Sequence, residues 1–181
     1  NFAITNNMAE PVNFAIANQL FYLENFCDYF ITETYYGNAD WIYPGPGYWV
    51  NNVRFWCTTE PLGKWRYIFW DVEAGCGIYN QPLDYDQLSP ALDSLACVHS
   101  KIMSNLLDNP ALRNYFINRY ADLMNTIFLP DSMVQDINYF RDLFISDMPR
   151  QIQRWDVTGT IPVTQWLANI DTLTAYIYNR P

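Results

Sequence analysis

Asp40, Asn51, Asn52, Asp71 and Glu73 fall within one stretch, YYGNADWIYPGPGYWVNNVRFWCTTEPLGKWRYIFWDVEAGCG, running from Tyr36 to Gly77. Metal-dependent phosphoryl transfer needs residues of these types. One carboxylate accepts the proton of an attacking hydroxyl, while an amide oxygen and a second carboxylate hold a divalent cation. Asp40 can serve as the base, Asn52 and Asp71 as cation ligands, and Glu73 as a further carboxylate two residues on. Each also has a plainer reading. An Asp after Gly-Asn commonly bonds the following turn, and an Asn opening a strand or an Asp closing one does the same for its loop.

The flanking pattern says how these residues are delivered. Between Val12 and Tyr36 the apolar residues Phe14, Ile16, Leu20, Leu23, Phe26, Phe30 and Ile31 recur at three- and four-residue steps, which predicts one or two amphipathic helices. Gly37 supplies the C-cap, so Asn38, Ala39 and Asp40 emerge on a loop. The run IYPGPGY before Val50 holds two Pro and two Gly and predicts an irregular surface loop. Asn52 to Thr58 and Trp65 to Asp71 are rich in Val, Ile and aromatics around the turn EPLGK, which predicts a β-hairpin. The start of one antiparallel strand lies beside the end of the next, so Asn52 and Asp71 are expected to be neighbours.

The rest of the chain is expected to support this hairpin. Residues 1–11 read as a polar, irregular arm, and 74–95 as mostly irregular. Helical periodicity resumes near Ser100 to Leu107 and continues from Asn109, an N-cap followed by Pro110. Further helices are expected over 131–146, 148–155 and 164–178. The fold class is therefore α+β, mainly helical, with a central β-hairpin packed by helices. The expected organisation is a single domain over 1–181: the arm 1–11, then helix, loop and hairpin over 12–77, then a helical part over 98–181.

Composition excludes several functions. The chain has 181 residues, half of them hydrophobic, with 10 Lys+Arg against 19 Asp+Glu and a net charge of -9. A chain this acidic lacks the basic face that nucleic acid or an anionic membrane requires. No apolar run approaches the roughly 18 residues of a spanning helix, so no membrane insertion is expected. The scarcity of Lys beside 14 Tyr, 7 Trp and many Asn suits an extracytoplasmic protein.

Other residues able to do chemistry lack company. Four cysteines without a CxxC pair, and a single His, make a Cys/His zinc site improbable. Cys27 sits among helical aromatics and reads as a buried thiol, whereas Cys57 and Cys76 flank the hairpin and can either pair or stay free. His99 has no nucleophile motif beside it and reads as structural. Asp84 and Asp86 lack the Gly and Glu of a calcium loop. Trp41, Trp49, Trp56, Trp65 and Trp70 can stack on sugars, but such residues more often fill a core. Arg113, Arg119, Arg150 and Arg154 are spaced on helices to meet surplus carboxylates.

Five segments carry a family resemblance: FCDYFITETYYGNADW, NNVRFW, GKWRYIFWDVEAGCG, NLLDNPALRNYFINRYADLMNTIF and MPRQIQRW. Together they resemble the CotH kinases, atypical protein kinases first recognised as bacterial spore-coat proteins, over about residues 24 to 155. The resemblance implies a protein-kinase-like C-lobe, ATP with Mg²⁺ or Mn²⁺ as cofactors, and a Ser/Thr-bearing secreted, cell-surface or spore-coat protein as substrate. By position it implies Asp40 as the catalytic-loop Asp, Asn52 as the metal-binding Asn, and Asp71, with Glu73 beside it, as the acidic residue of the magnesium motif. Which of Asp71 and Glu73 is the main ligand stays open.

This sequence departs from the family pattern at three places. Twelve residues separate Asp40 from Asn52 where the pattern has five, and the excess is the Pro/Gly run. Ala74 and Cys76 stand where bulkier residues are common. The N-terminal half of such a kinase, with its nucleotide-clamping loop and phosphate-gripping Lys, is not evident, and Lys64 and Lys101 are the only lysines. The expected reading is thus the C-terminal lobe of a kinase, its N-terminal lobe lying on the same parent chain, with little ATP affinity by itself. The alternative is a catalytically inactive surface or spore-coat attachment module that binds glycans through the aromatic loop 41–49.

Overall fold

The computed structural model describes residues 1–43, 49–156, 158 and 161–180. Its contacts divide the chain into two compact units, Asn1–Ala121 and Asp122–Pro181. The architecture is α+β and mainly helical, and all strands described lie in the first unit.

The first unit is built around one helix. Helices α1 (Phe2–Thr5), α2 (Pro11–Leu20) and α3 (Leu23–Tyr36) come first. Strands β1 (Ile42–Tyr43) and β2 (Trp49–Val50) follow, then β3 (Arg54–Trp56) and β4 (Arg66–Ile68). Helices α4 (Leu88–Leu92), α5 (Val98–Leu106) and α6 (Pro110–Met124) complete it, α6 running just past its edge. Along α3, Phe26, Tyr29, Phe30 and Ile31 are at most 1% exposed, as expected of a helix crossing the core. Phe26 stacks on Tyr67 of β4 at 4.4 Å, and Phe30 meets Trp41 edge-on at 4.9 Å. Each such pair adds about 1 kcal/mol beyond simple burial.

The hairpin is fastened to α3 through main-chain groups. β3 and β4 pair antiparallel with Phe55 opposite Tyr67. The free edge of β4 is closed by a side chain, since Asn25 Nδ2 donates to the Tyr67 carbonyl (3.1 Å) while the Tyr67 N–H donates to Asn25 Oδ1 (2.7 Å). The α2–α3 connection continues this edge: Tyr22 N–H donates to the Trp65 carbonyl and Trp65 N–H to the Leu20 carbonyl. A bidentate ion pair from Arg119 to Asp28 ties α6 to α3, at 2.7 and 3.0 Å.

Several details differ from the sequence reading. Residues 1–11 are not an irregular arm. They contain α1 and the start of α2, bury Ala3 and Met8, and are held by Asn105 Nδ2 donating to the carbonyls of Ala3 and Ile4. Helix α1, with its apolar Phe2, Ala3 and Ile4, packs on α5, a partner that no local pattern reveals. Ile42 and Tyr43 form a strand although they open the Pro/Gly run; residues 44–48 lie outside the described residues. Of the five Trp, Trp41 is buried, whereas Trp56, Trp65 and Trp70 stand 44, 37 and 52% exposed on and beside the hairpin. None of the four cysteines is joined in a disulfide. Burial pushes the Cys27 thiol up to about 12, so it is an inert core group.

Asn109 caps α6 as expected, its Oδ1 accepting from the N–H groups of Ala111 and Leu112. In the second unit, α7 (Pro130–Phe144) and α8 (Met148–Trp155) both pack on α9 (Val163–Asn179), burying Met133, Val134, Tyr176 and Ile177. No described helix is long and apolar enough to cross a membrane.

Candidate functional site

Helix α3 ends in a Schellman motif that sets the direction of the loop carrying Asp40. Gly37 takes the left-handed conformation (φ 62°), which glycine reaches without a Cβ clash. The Gly37 N–H donates to Thr34 and the Asn38 N–H to Glu33. Next, the Ala39 N–H donates to the Ala74 carbonyl at 3.2 Å, and the Asp40 N–H to Asn38 Oδ1 at 3.1 Å. All four N–H groups from Gly37 to Asp40 are therefore engaged.

The long separation of Asp40 and Asn52 is closed by a small ribbon. Ile42 pairs with Val50 and Tyr43 with Trp49, and the Asn51 N–H donates to the Trp41 carbonyl at 2.9 Å. The flanks of the insertion thus return to each other as paired strands. Gln87 Nε2 pins the ribbon by donating to the Ile42 carbonyl at 2.6 Å.

As a result, Asp40 and both asparagines meet. Asn51 Nδ2 and Asn52 Nδ2 each donate to Asp40 Oδ2 at 3.0 Å. Asn52 Nδ2 also lies 3.5 Å from the Asp40 carbonyl and 3.5 Å from the Asp71 carbonyl. Three acceptors around one amide nitrogen fix its orientation. No described residue donates to Asn52 Oδ1, so that oxygen remains available to a cation. Asn52 is 6% exposed, whereas Asp40 is half-buried and Asn51 exposed.

Asn52 and Asp71 share an uncommon backbone state, with φ of 54° and 58°. Asn and Asp tolerate this left-handed region better than other residues with a Cβ, yet it still costs about 1 kcal/mol each. Asp71 is exposed, and among the described residues its carboxylate has no ion-pair partner. Glu73 is likewise exposed, at the crest of a turn closed by the Gly75 N–H donating to Val72. The turn is tied back to α3: the Cys76 N–H donates to the Tyr36 carbonyl at 2.7 Å, and a Cβ on Gly75 would sit 3.2 Å from that oxygen. Small residues at Ala74 and Gly75, both buried, are what let the acidic turn approach so closely.

A family model described as CotH kinase protein matches residues 3–181. The chain belongs to the CotH kinase family. Membership gives it a kinase-like function of the CotH type, and the family uses ATP and a divalent metal in general. No curated protein and no solved structure matches the chain.

The donors fit a hard divalent ion in type. No group of three or more His, Cys, Asp or Glu side chains converges for a metal among the described residues, which argues against an all-protein cage. Magnesium does not need one, since it commonly takes one or two protein oxygens and completes its shell with water and phosphate. Asn52, Asp71 and Glu73 carry oxygens of that type, and the contact that joins the first two runs from Asn52 Nδ2 to the Asp71 main-chain carbonyl.

Sequence reasoning gave Asn51 no role and did not single out Glu33, Asn38 or Gln87. Glu33 was readable: it follows Phe26 and Phe30 at four- and three-residue steps and so falls on the buried face of α3. It is 2% exposed, and burial pushes its carboxyl up to about 7 against the lowering effect of its bond from Asn38. His99 is half-buried with Nδ1 2.9 Å from the Tyr67 hydroxyl, and desolvation lowers its pKa. It supports β4 and lies among Phe55 and Tyr67.

Proposed function

We propose that this chain carries the catalytic loop and magnesium turn of a protein kinase of the CotH type. It would move the γ-phosphoryl group of ATP to a Ser or Thr hydroxyl of a secreted or surface protein. The observation that carries this reading is the pair of amide bonds from Asn51 and Asn52 to Asp40 Oδ2. In it, Asn52 also faces the Asp71 carbonyl.

These bonds leave Asp40 Oδ1 without a described donor, and that oxygen can accept the proton of the substrate hydroxyl. The hydroxyl oxygen attacks the γ-phosphorus, the bond to the β,γ-bridging oxygen breaks, and ADP leaves with that electron pair. The proton ends on the Asp40 carboxylate. Asn52 Oδ1 and Asp71 would hold the divalent ion, which neutralises charge spread over the transferred phosphoryl oxygens. Asn52 would then have two tasks in one amide, its nitrogen orienting the base and its oxygen helping to hold the cation.

A γ-labelled ATP assay on Ser/Thr protein acceptors tests this reading. With ATP and Mg²⁺ at millimolar concentration, labelling by the wild-type chain and its loss in Asp71→Ala are expected; equal labelling by Asp71→Ala would reject the role of Asp71. The alternative of an inactive glycan-attachment module through residues 41–49 is less well supported. Trp41 and Ile42 are at most 1% exposed and cannot form its contact surface.

A further inference from the structure

We propose that Glu33 and Asn38 are positioning residues that fix the main chain of Asp40 from inside the core. The inference rests on Asp40 being the base. Glu33 Oε2 accepts from Asn38 Nδ2 at 2.8 Å, and Asn38 Oδ1 accepts from the Asp40 N–H at 3.1 Å. The Asn38 amide is thus held at both ends, and its orientation follows from Glu33.

The arrangement singles out Asp40. Of the four consecutive N–H groups from Gly37 to Asp40, the first three donate to main-chain carbonyls, and only that of Asp40 donates to a side chain. The position of the base is therefore the one part of this loop that a side-chain substitution can release. Asn38 is 1% exposed and Glu33 2%, so water does not readily replace either partner.

Glu33 is also costly where it stands. Its second oxygen, Oε1, has no hydrogen-bond partner among the described residues. A helix serving only packing would carry an apolar residue at this point of the Phe26–Phe30 face. A buried carboxyl whose one bond leads toward the base is the kind of local conflict that marks a functional site.

The test compares Glu33→Gln, Glu33→Leu and Asn38→Ala in the full chain, read by phosphoryl transfer and by hydrogen exchange of the Asp40 amide. Gln keeps an oxygen acceptor for Asn38, so Glu33→Gln should retain near-wild-type kcat and exchange. Glu33→Leu and Asn38→Ala should each lower kcat by about 100-fold while KM for ATP stays within about two-fold. Both should speed exchange at Asp40, and the double variant should be no worse than either alone, because the two act in series. Multiplicative losses, or Glu33→Gln as damaged as Glu33→Leu, would overturn the proposal. Absence of transfer by the wild-type chain would count against the kinase reading instead. The exchange arm would then still decide the positioning role, unchanged exchange in Asn38→Ala refuting it.

Discussion

Asn52 Nδ2 donates to Asp40 Oδ2 at 3.0 Å across twelve residues of sequence. Asn51 reaches the same oxygen, but from an exposed position and without the further contacts to the Asp40 and Asp71 carbonyls. The two amides should therefore differ in weight. Asn52→Ala is expected to lower kcat by about 100-fold or more, and Asn51→Ala by less than about 10-fold. Steady-state kinetics on the two single variants check this ranking, and equal losses contradict it.

Stability and activity should separate at Asp71. Its φ of 58° is strained for any residue with a Cβ, and its exposed carboxylate has no described partner. Asp71→Gly should hold or raise the thermal midpoint, with a gain of up to about 1 kcal/mol over Asp71→Ala. Both variants should lose phosphoryl transfer. A calorimetric scan in which Asp71→Gly melts below Asp71→Ala would show that the backbone state is not the source of strain.

Glu33 and His99 should give opposite pH slopes. The Glu33 carboxyl moves from an ordinary value of 4.5 to about 7 on folding, because burial disfavours its charge. Raised above its unfolded value, it contributes stability that is complete below pH 4.5 and is lost as pH rises through about 7. The limiting size is on the order of 3 kcal/mol. Denaturant midpoints should fall over that window in the wild type, and Glu33→Gln should flatten the fall.

His99 works the other way. Desolvation depresses its pKa below the ordinary 6.5, so folding favours the neutral ring. Its contribution is present above pH 6.5 and is lost as pH falls toward the folded value. His99→Gln, compared with wild type between pH 5 and 8 by the same midpoints, should remove that acid-side loss. A His99→Gln profile steeper on the acid side than that of the wild type would contradict the sign.

Nucleotide affinity should be weak. Lys64 Nζ reaches Asn18 Oδ1 at 3.4 Å and Lys101 is exposed on α5, so neither bonds within the Asp40–Asn52 site. Isothermal titration of this chain with ATP and Mg²⁺ should give a Kd in the millimolar range, about -4 kcal/mol. Micromolar binding would contradict this.

The hairpin, the Gly37 cap and the Asn109–Pro110 helix start were legible because each rests on local rules of turn, cap and periodicity. The approach of Asn52 to Asp71 followed from antiparallel pairing alone. What escaped depended on distant partners. Residues 1–11 became ordered by docking on α5, Asn25 took the place of a neighbouring strand, and Ile42 gained regular structure only through Val50. Glu33 and Asn38 escaped for another reason: spacing puts Glu33 on the buried face of α3, but nothing local shows the buried partner that gives it a role.

The central claim is that Asp40 is the proton acceptor in phosphoryl transfer from ATP. Asp40→Asn keeps the size of the side chain and an oxygen for the Asn51 and Asn52 amides, but removes the basicity. Single-turnover transfer of the γ-phosphoryl group to a Ser/Thr protein, at saturating ATP and Mg²⁺, measures its effect directly. A rate loss of about 100-fold or more with an unchanged thermal midpoint is expected. Transfer by Asp40→Asn at the wild-type rate would contradict it.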